Sequence, residues 1–303
     1  MFPSESEPAF GSFVKEQADD LRKAGVDVDV LPFDGRGARS AYLGAIGRMR
    51  DQIRRQRYDI VHAHYGLTGA VAMFQRDVPV VTTFHGSETG YVRWQARVSW
   101  VVARKTTPIF VSRKGACALG VPRASIIPIG VDTTHFSPRS REEARLSLGL
   151  EPTKTYVLFP GSPKNKRKRH ELFRQTLAEL KRRGVEVTPI ALEGFTREEV
   201  PLVMNSVDVT LLTSAFEGSP VAVKESLACL TPVVSTDVGD VAQLLGQLDG
   251  CSVREGTPAD LASAVEGALQ STRNPEWRKR AAEYARDKIA LQVIAVYETV
   301  AGA

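Results

Sequence analysis

The chain has 303 residues, 43% of them hydrophobic and 25% charged, the profile of a soluble globular protein with room for two ordinary domains. No apolar run reaches the length of a membrane-spanning helix and no leader pattern is visible, so a cytoplasmic protein is expected. The net charge of +5 and pI of about 9.1 suit an anionic partner such as a nucleotide, a phosphorylated lipid or an acidic membrane surface, and equally a solvated basic surface.

The chain opens on MFPSESEPAFGSF, a loop followed directly by a helix over 12–25. A doubly wound domain normally begins with a buried strand. Here Pro3 and the Ser/Glu run argue against one, so the first strand of the N-terminal domain is missing from the pattern. Short β-branched runs then alternate with amphipathic helical stretches: VDVDVL (26–31), a helix over 42–56, DIVHAH (59–64), VPVVTTF (78–84), TPIFVS (107–112) and SIIPIG (125–130). Residues 130–152 are polar and proline-bearing and read as a linker with a short helix. The alternation resumes with TYVLFP (155–160), VEVTPIAL (185–192), DVTLLT (208–213) and TPVVST (231–236), and residues 275–303 read as helical throughout. Near-continuous apolar runs fit parallel strands covered on both faces. The fold class expected is α/β, two Rossmann-like domains facing across a cleft. The boundaries are 1–135, 136–284, and 285–303 as a terminal helix crossing back to the first domain.

Cys117, Cys229 and Cys251 form no CxxC pair, which argues for reduced thiols and against zinc, and His62 and His64 have no cluster around them; no metal is expected. The chemistry concentrates in SAFEGSPVAVKESLACLTPVVSTDVGD, where Glu217 and Glu225 stand eight positions apart. Ser219 and Pro220 read as N-cap and first residue of a helix, so Glu217 falls in the loop at a strand's carboxyl end, beside amides that suit phosphate. Glu225 lies further along on a small apolar face that solvation explains poorly. It suits ligand hydroxyls, such as those of a ribose. Phosphate on the helix start and hydroxyls at both carboxylates describe a nucleotide-sugar. A capping helix with surface glutamates is the plain structural alternative.

EGSPVAVKE resembles the E-x7-E motif of the family 4 glycosyltransferases, which have the GT-B fold and retain anomeric configuration. The flanking text from Asn205 to Asp240 is similar to that family's donor-binding segment. The resemblance implies that Glu225 holds the donor ribose, that Glu217 meets the donor sugar hydroxyls, and that the amides of Gly218 and Ser219 reach sugar and phosphate. In VLFPGSPKNKRKRHELF it implies that Lys168, with Arg167 beside it, stabilises the departing diphosphate just beyond Gly161. The family's arginine after the strand glycine is here Ser162. FHGSE is similar to the family's His-Gly, with His85 near donor sugar and phosphate; in DIVHAHYG, His64 edges the acceptor side and His62 belongs to the core. PAFGSFVKEQADDL resembles the family's first loop, with Gly11 at the donor phosphate, and IIPIGVDTTHF resembles its interdomain segment, with Ile129 in place of an asparagine. The base-binding edge near Leu192 to Val200 reads as backbone-mediated.

The function implied is metal-independent retaining transfer of a hexose from a nucleoside diphosphate to an acceptor hydroxyl on a glycan or lipid-linked glycan, as in polysaccharide biosynthesis. No bound cofactor and no nucleic acid partner are implied, and peripheral contact with the inner face of the membrane is. Two alternatives are a nucleotide-sugar binder of little catalytic power and a GT-B sugar-nucleotide epimerase.

Overall fold

A computed structural model describes residues 11–33, 35 and 40–302. The opening loop, including the start of the PAFGSF match, lies outside the described residues.

Two compact units divide the chain, Met1–Ile129 with Arg286–Ala303, and Gly130–Ala285. The first unit contains α1 (Ser12–Lys23), α2 (Ser40–Arg55), β1 (Val61–His64), α3 (Gly66–Ala72), β2 (Val80–Phe84), α4 (Arg93–Lys105), β3 (Thr107–Phe110), α5 (Arg113–Ala118) and β4 (Ser125–Ile126). Its strands form one parallel sheet in the order β1-β2-β3-β4, with Val61 opposite Val80 and Val81 opposite Thr107. Residues 26–31, expected as a strand, join no sheet. A strand exists only when its backbone groups find partners, and apolar alternation alone does not supply them.

The second unit contains α6 (Arg141–Ser147), β5 (Tyr156–Phe159), α7 (His170–Arg182), β6 (Thr188–Ala191), α8 (Val200–Ser206), β7 (Val209–Leu212), α9 (Val221–Ala228), β8 (Val233–Thr236), α10 (Val241–Leu245), β9 (Ser252–Arg254), α11 (Pro258–Leu269) and α12 (Pro275–Glu283). Its parallel sheet has the order β6-β5-β7-β8-β9. β9 is too short and polar to be read from the sequence. β5, β7 and β8 are buried along their whole lengths, as strands covered by helices on both faces must be. Two apolar clusters lie on the faces, one around Leu158, Met204 and Trp277, the other around Phe159, Phe173 and Leu261.

The terminal helical stretch is interrupted: α12 ends at Glu283, and α13 (Arg286–Ala301) belongs to the first unit. There Arg286 is clamped to Asp20 of α1 through Nε–Oδ2 (2.6 Å) and Nη2–Oδ1 (2.8 Å), and Ile289 and Val293 pack with Leu21, Val81 and Ile109.

Candidate functional site

In the second unit the strand order reverses between β5, whose next strand in sequence lies on one side, and β7, which lies on the other. Such a switch point leaves a crevice at the strands' carboxyl ends. Both loops that leave it carry the residues singled out from the sequence.

After β5, Gly161 comes first. A Cβ there would stand 3.2 Å from Lys168 Cε, so the absence of a side chain lets Lys168 lie across the backbone. A 3-10 turn over Lys166–Lys168 follows, opened by Asn165, whose side chain accepts from the Arg167 amide. Arg169 then takes the left-handed conformation (φ 50°, ψ 54°). Its strain, about 1–2 kcal/mol for a non-glycine residue, is offset by the guanidinium, which donates to Thr213 O (2.6 Å) and Ser214 O (3.0 Å). Thr213 Oγ1 also donates to Lys168 O (2.8 Å), and the Ala215 amide to Arg167 O (2.9 Å). The two loops are thereby held to each other.

Across this contact the Lys168 ammonium meets Glu217 Oε1 at 2.8 Å, and Arg167 Nη2 lies 3.8 Å from Glu217 Oε2. Ser214 Oγ donates to Glu217 Oε1 at 2.7 Å. The Glu217 side chain is 9% exposed and that of Lys168 14%, so the pair is partly desolvated and its electrostatic interaction is strong. Ser162 is turned away, donating to Glu193 Oε1 (2.9 Å), which also pairs with Lys164 (3.1 Å).

The helix start differs in detail from expectation. Pro220 is the N-cap residue of α9 and no side chain caps it. Ser219 is instead drawn inward: its hydroxyl donates to Asp240 Oδ2 (2.6 Å) and accepts from the Lys224 ammonium. Lys224 is completely buried, pairs with Asp240 Oδ2 at 3.2 Å, and lies 5.3 Å from the centre of the Tyr284 ring. Burial pushes its ammonium below the ordinary range, with Asp240 opposing. The sequence reading missed this trio, because a lysine on a helix normally reads as solvated. Its signal was the apolar company of Lys224 in PVAVKESLA. Gly239, with φ +54°, closes the other side: a Cβ there would lie 2.3 Å from Gly218 O.

Glu225 is buried on the inner face of α9 at 4% exposure. Its Oε1 accepts from Arg197 Nη1, and the Arg197 guanidinium stacks 4.7 Å from the centre of the Phe136 ring. Arg197 was also missed. It is the sole cation between Leu192 and Val200, a stretch read as acting through backbone, and its side chain reaches the carboxylate assigned to ribose.

The first unit holds Gly11 and His85. Gly11 is the N-cap of α1, and the Phe13 ring packs 4.8 Å from that of His85. His85 follows β2 directly. Its backbone N–H donates to Glu88 Oε1 (2.7 Å), and its Nε2 and His64 Nδ1 share a hydrogen bond at 3.0 Å. His62 lies behind them, half-buried between Tyr297 Oη (2.5 Å) and Thr83 Oγ1 (2.8 Å). Burial lowers His62 to about 4 and His85 to about 3, and holds His64 well below the ordinary range. Burial raises Glu88 to about 7. Among the described residues, His85 Nδ1 is a buried atom with no hydrogen-bond partner.

Among the described residues, no group of three or more His, Cys, Asp or Glu could hold a metal ion, and no helix is long and apolar enough to cross a membrane.

A doubly wound unit with paired cations and carboxylates at its switch point, together with a first parallel α/β unit, defines a class of proteins that meet polar, anionic ligands at the carboxyl ends of their strands. Residues 8–121 match the glycosyl transferase 4-like domain and residues 157–271 match glycosyl transferases group 1; the chain belongs to the family 4 glycosyltransferases of GT-B fold and is an enzyme of the hexosyltransferase type. It is similar to an MMP alpha-(1->4)-mannosyltransferase of Mycolicibacterium hassiacum, 25% identical over 294 residues, covering 81% of this chain and 71% of that one. It is also similar to the putative teichuronic acid biosynthesis glycosyltransferase TuaC of Bacillus subtilis, 23% identical over 335 residues and covering 88% and 86%. Among solved structures, sucrose-phosphate synthase of Thermosynechococcus elongatus superposes with TM-score 0.78 at 17% identity, covering 98% and 95%. Anabaena HepE in complex with UDP and glucose superposes with TM-score 0.72 at 18% identity, covering 92% and 88%.

Proposed function

We propose that the chain transfers a hexose from a nucleoside diphosphate to an acceptor hydroxyl on a glycan or lipid-linked glycan, with retention and without a metal ion or bound cofactor. The observation that carries the reading is the Lys168–Glu217 pair, 2.8 Å apart and partly desolvated at the switch point. On this reading Lys168 and Arg167 take the charge that grows on the departing diphosphate, and Glu217 accepts from sugar hydroxyls. Glu225 accepts from ribose hydroxyls, with Arg197 exchanging part of its contact for the ligand. The departing phosphate itself takes the acceptor's proton, so no protein nucleophile is needed, and the two glutamates do not work as a glycosidase pair. In the first unit, Gly11 and His85 meet the donor sugar and phosphate. His85, held neutral by burial, supplies position and a hydrogen bond rather than general base chemistry.

Solved relatives of the fold include HepE with UDP and with UDP-glucose, which supports a nucleotide-sugar donor here. The basic charge supports peripheral contact with an anionic membrane face. The test incubates the enzyme with UDP-, GDP- and ADP-hexoses and a panel of glycan and lipid-linked acceptors, following anomeric configuration by proton NMR with and without EDTA. Retained configuration at an unchanged rate in EDTA supports the proposal. Inverted product, or a rate abolished by EDTA and restored by a divalent cation, contradicts it. Ser162, engaged with Glu193 where the family has an arginine, favours a second reading, a nucleotide-sugar binder with little turnover. Nucleotide binding without transfer to any acceptor would select it.

A further inference from the structure

The basic charge of the chain is not spread evenly. α2 carries Arg48, Arg50, Arg54 and Arg55 against one acid, Asp51, and α4 (RWQARVSWVVARK) carries Arg93, Arg97, Arg104 and Lys105 with no acid. All eight cations are exposed. The two helices hold a net +7 where the whole chain holds +5, so the rest of the chain is slightly acidic. Among the described residues, the ion pairing of these cations is one loose contact, Arg54 to Asp51 at 3.9 Å. The same elements carry apolar surface. Of the nine large apolar side chains exposed among the described residues, six lie here: Leu43 on α2, Phe74 just after α3, Tyr91 just before α4, and Trp94, Trp100 and Val101 on α4. Single exposed apolar residues are ordinary, but a group of them interleaved with cations marks a contact surface.

Helix geometry brings these residues together. On α4 the exposed positions recur at steps of three and four, from Arg93 and Trp94 through Arg97 to Trp100, Val101 and Arg104, while Ser99, Val102 and Ala103 are buried on the other side. Arg104 fixes Trp100 at the surface: its guanidinium lies 4.1 Å from the ring centre and donates to Trp100 O (3.1 Å) and Leu119 O (3.2 Å). An open cavity of about 840 Å³ joins α4 to α2 around the end of α3, lined by Ala70, Met73, Val98 and Val101 and by Arg50, Arg54 and Arg76, with Asp77 as its acid. Arg50 is anchored there, its Nε (3.0 Å) and Nη2 both donating to Phe74 O. Cations beside apolar walls, flanked by exposed tryptophans, suit headgroup phosphates together with the first methylenes of acyl chains. A nucleic acid would satisfy the arginines and leave the valine and methionine walls in water. We propose that the outer face of α2 and α4, with Phe74 beside them, seats the first unit on an anionic lipid bilayer, the tryptophans at headgroup depth and the arginines on the phosphates. This assigns a face to the peripheral contact proposed above and rests on that contact.

The probe is a vesicle of phosphatidylglycerol and phosphatidylcholine in equal parts, with phosphatidylcholine alone as control; no donor or acceptor is needed. Sedimentation measures binding. Tryptophan emission reports which face binds, because Trp277 is 1% exposed and a change on adding vesicles therefore comes from Trp94 and Trp100. Binding to the anionic vesicles but not to the control is expected, with emission shifted to the blue and quenched by brominated acyl chains. Arg93→Gln combined with Arg97→Gln should weaken partitioning at least ~10-fold, and Trp94→Ala combined with Trp100→Ala should weaken it several-fold. The emission readout uses the wild-type chain and stands even if a variant does not fold. Equal binding by the wild type and both variants, or binding with unshifted and unquenched emission, would overturn this face and leave the peripheral contact standing. No binding to anionic vesicles would overturn face and contact together and leave the transfer reading untouched. Binding of polyuridylate in place of vesicles would make the occupant a nucleic acid, and a wild-type dimer that shields both tryptophans from acrylamide would make it a second copy; either overturns the proposal.

Discussion

Replacing Lys224 by methionine isolates the buried trio that holds the Glu217–Ser219 loop. The change keeps the volume of the side chain roughly intact and removes the ammonium from Asp240 Oδ2 (3.2 Å) and from the Ser219 hydroxyl. Asp240, whose side chain is 3% exposed, would retain only the Ser219 hydroxyl at 2.6 Å on one oxygen. Its other oxygen already has no partner among the described residues. Removing one member of a buried ion pair costs about 3–5 kcal/mol, because the remaining charge stays desolvated. That is a large part of a domain's ~5–15 kcal/mol. Urea unfolding followed by tryptophan fluorescence reads the second unit, since Trp277 is 1% exposed whereas Trp94 and Trp100 are 57% and 50% exposed. The double variant Lys224→Met, Asp240→Asn removes the stranded charge and should recover more than half of the loss, a coupling of about 2 kcal/mol or more. A loss below about 1 kcal/mol in Lys224→Met, or no recovery in the double variant, would refute the argument that the trio is a paired, desolvated unit.

Gly239→Ala forces a Cβ to within 2.3 Å of Gly218 O at a backbone φ of +54°. It should destabilise the second unit by about 2 kcal/mol or more and weaken nucleotide binding, because the loop has to move; wild-type affinity measured by calorimetry would count against the packing described. On the proposed role, in which Lys168 meets charge that develops in the transition state, Lys168→Ala should lower the transfer rate far more than it lowers nucleotide affinity; equal losses in both would contradict that role. The first unit should lose stability in acid. His62 and His85 sit at about 4 and 3 against an ordinary 6.5, so the unfolded chain binds more protons below 6.5 and their contribution, complete above that pH, is lost as pH falls. Glu88, raised from 4.5 to about 7, works in the opposite sense, losing its contribution as pH rises towards 7. Two histidines outweigh one carboxyl, leaving a net fall in stability as pH drops from about 6.5 to 4.5, to which His64 adds. Melting curves should therefore shift down between pH 7 and 5, less so in His85→Asn, and pH-independent melting would contradict the burial assignment.

The second unit was largely legible in the sequence. Its strands are continuous apolar runs buried on both faces, and the loop carboxylate, the helix carboxylate and the basic turn all fall at the ends of such runs. Interactions that depend on chain reversals were not legible. Nothing local to Lys224 shows that Asp240 waits for it sixteen positions away, and nothing local to Arg197 shows Glu225. The cap at Ser219 was misassigned because a buried lysine and carboxylate compete for the same hydroxyl. In the first unit VDVDVL carries a correct strand pattern and still forms no ladder, since pairing is a property of two segments and a sequence pattern describes one.

Calorimetric titration of UDP, GDP and ADP into the wild-type chain and into Glu225→Ala tests the donor site most directly. The account predicts saturable binding of one nucleotide by the wild type and at least a ~10-fold loss in Glu225→Ala, the worth of a buried hydrogen bond to a charged group. It further predicts that Glu217→Ala leaves nucleotide affinity nearly unchanged. Binding that is indifferent to Glu225, or no binding of any of the three by a folded wild-type chain, would contradict it.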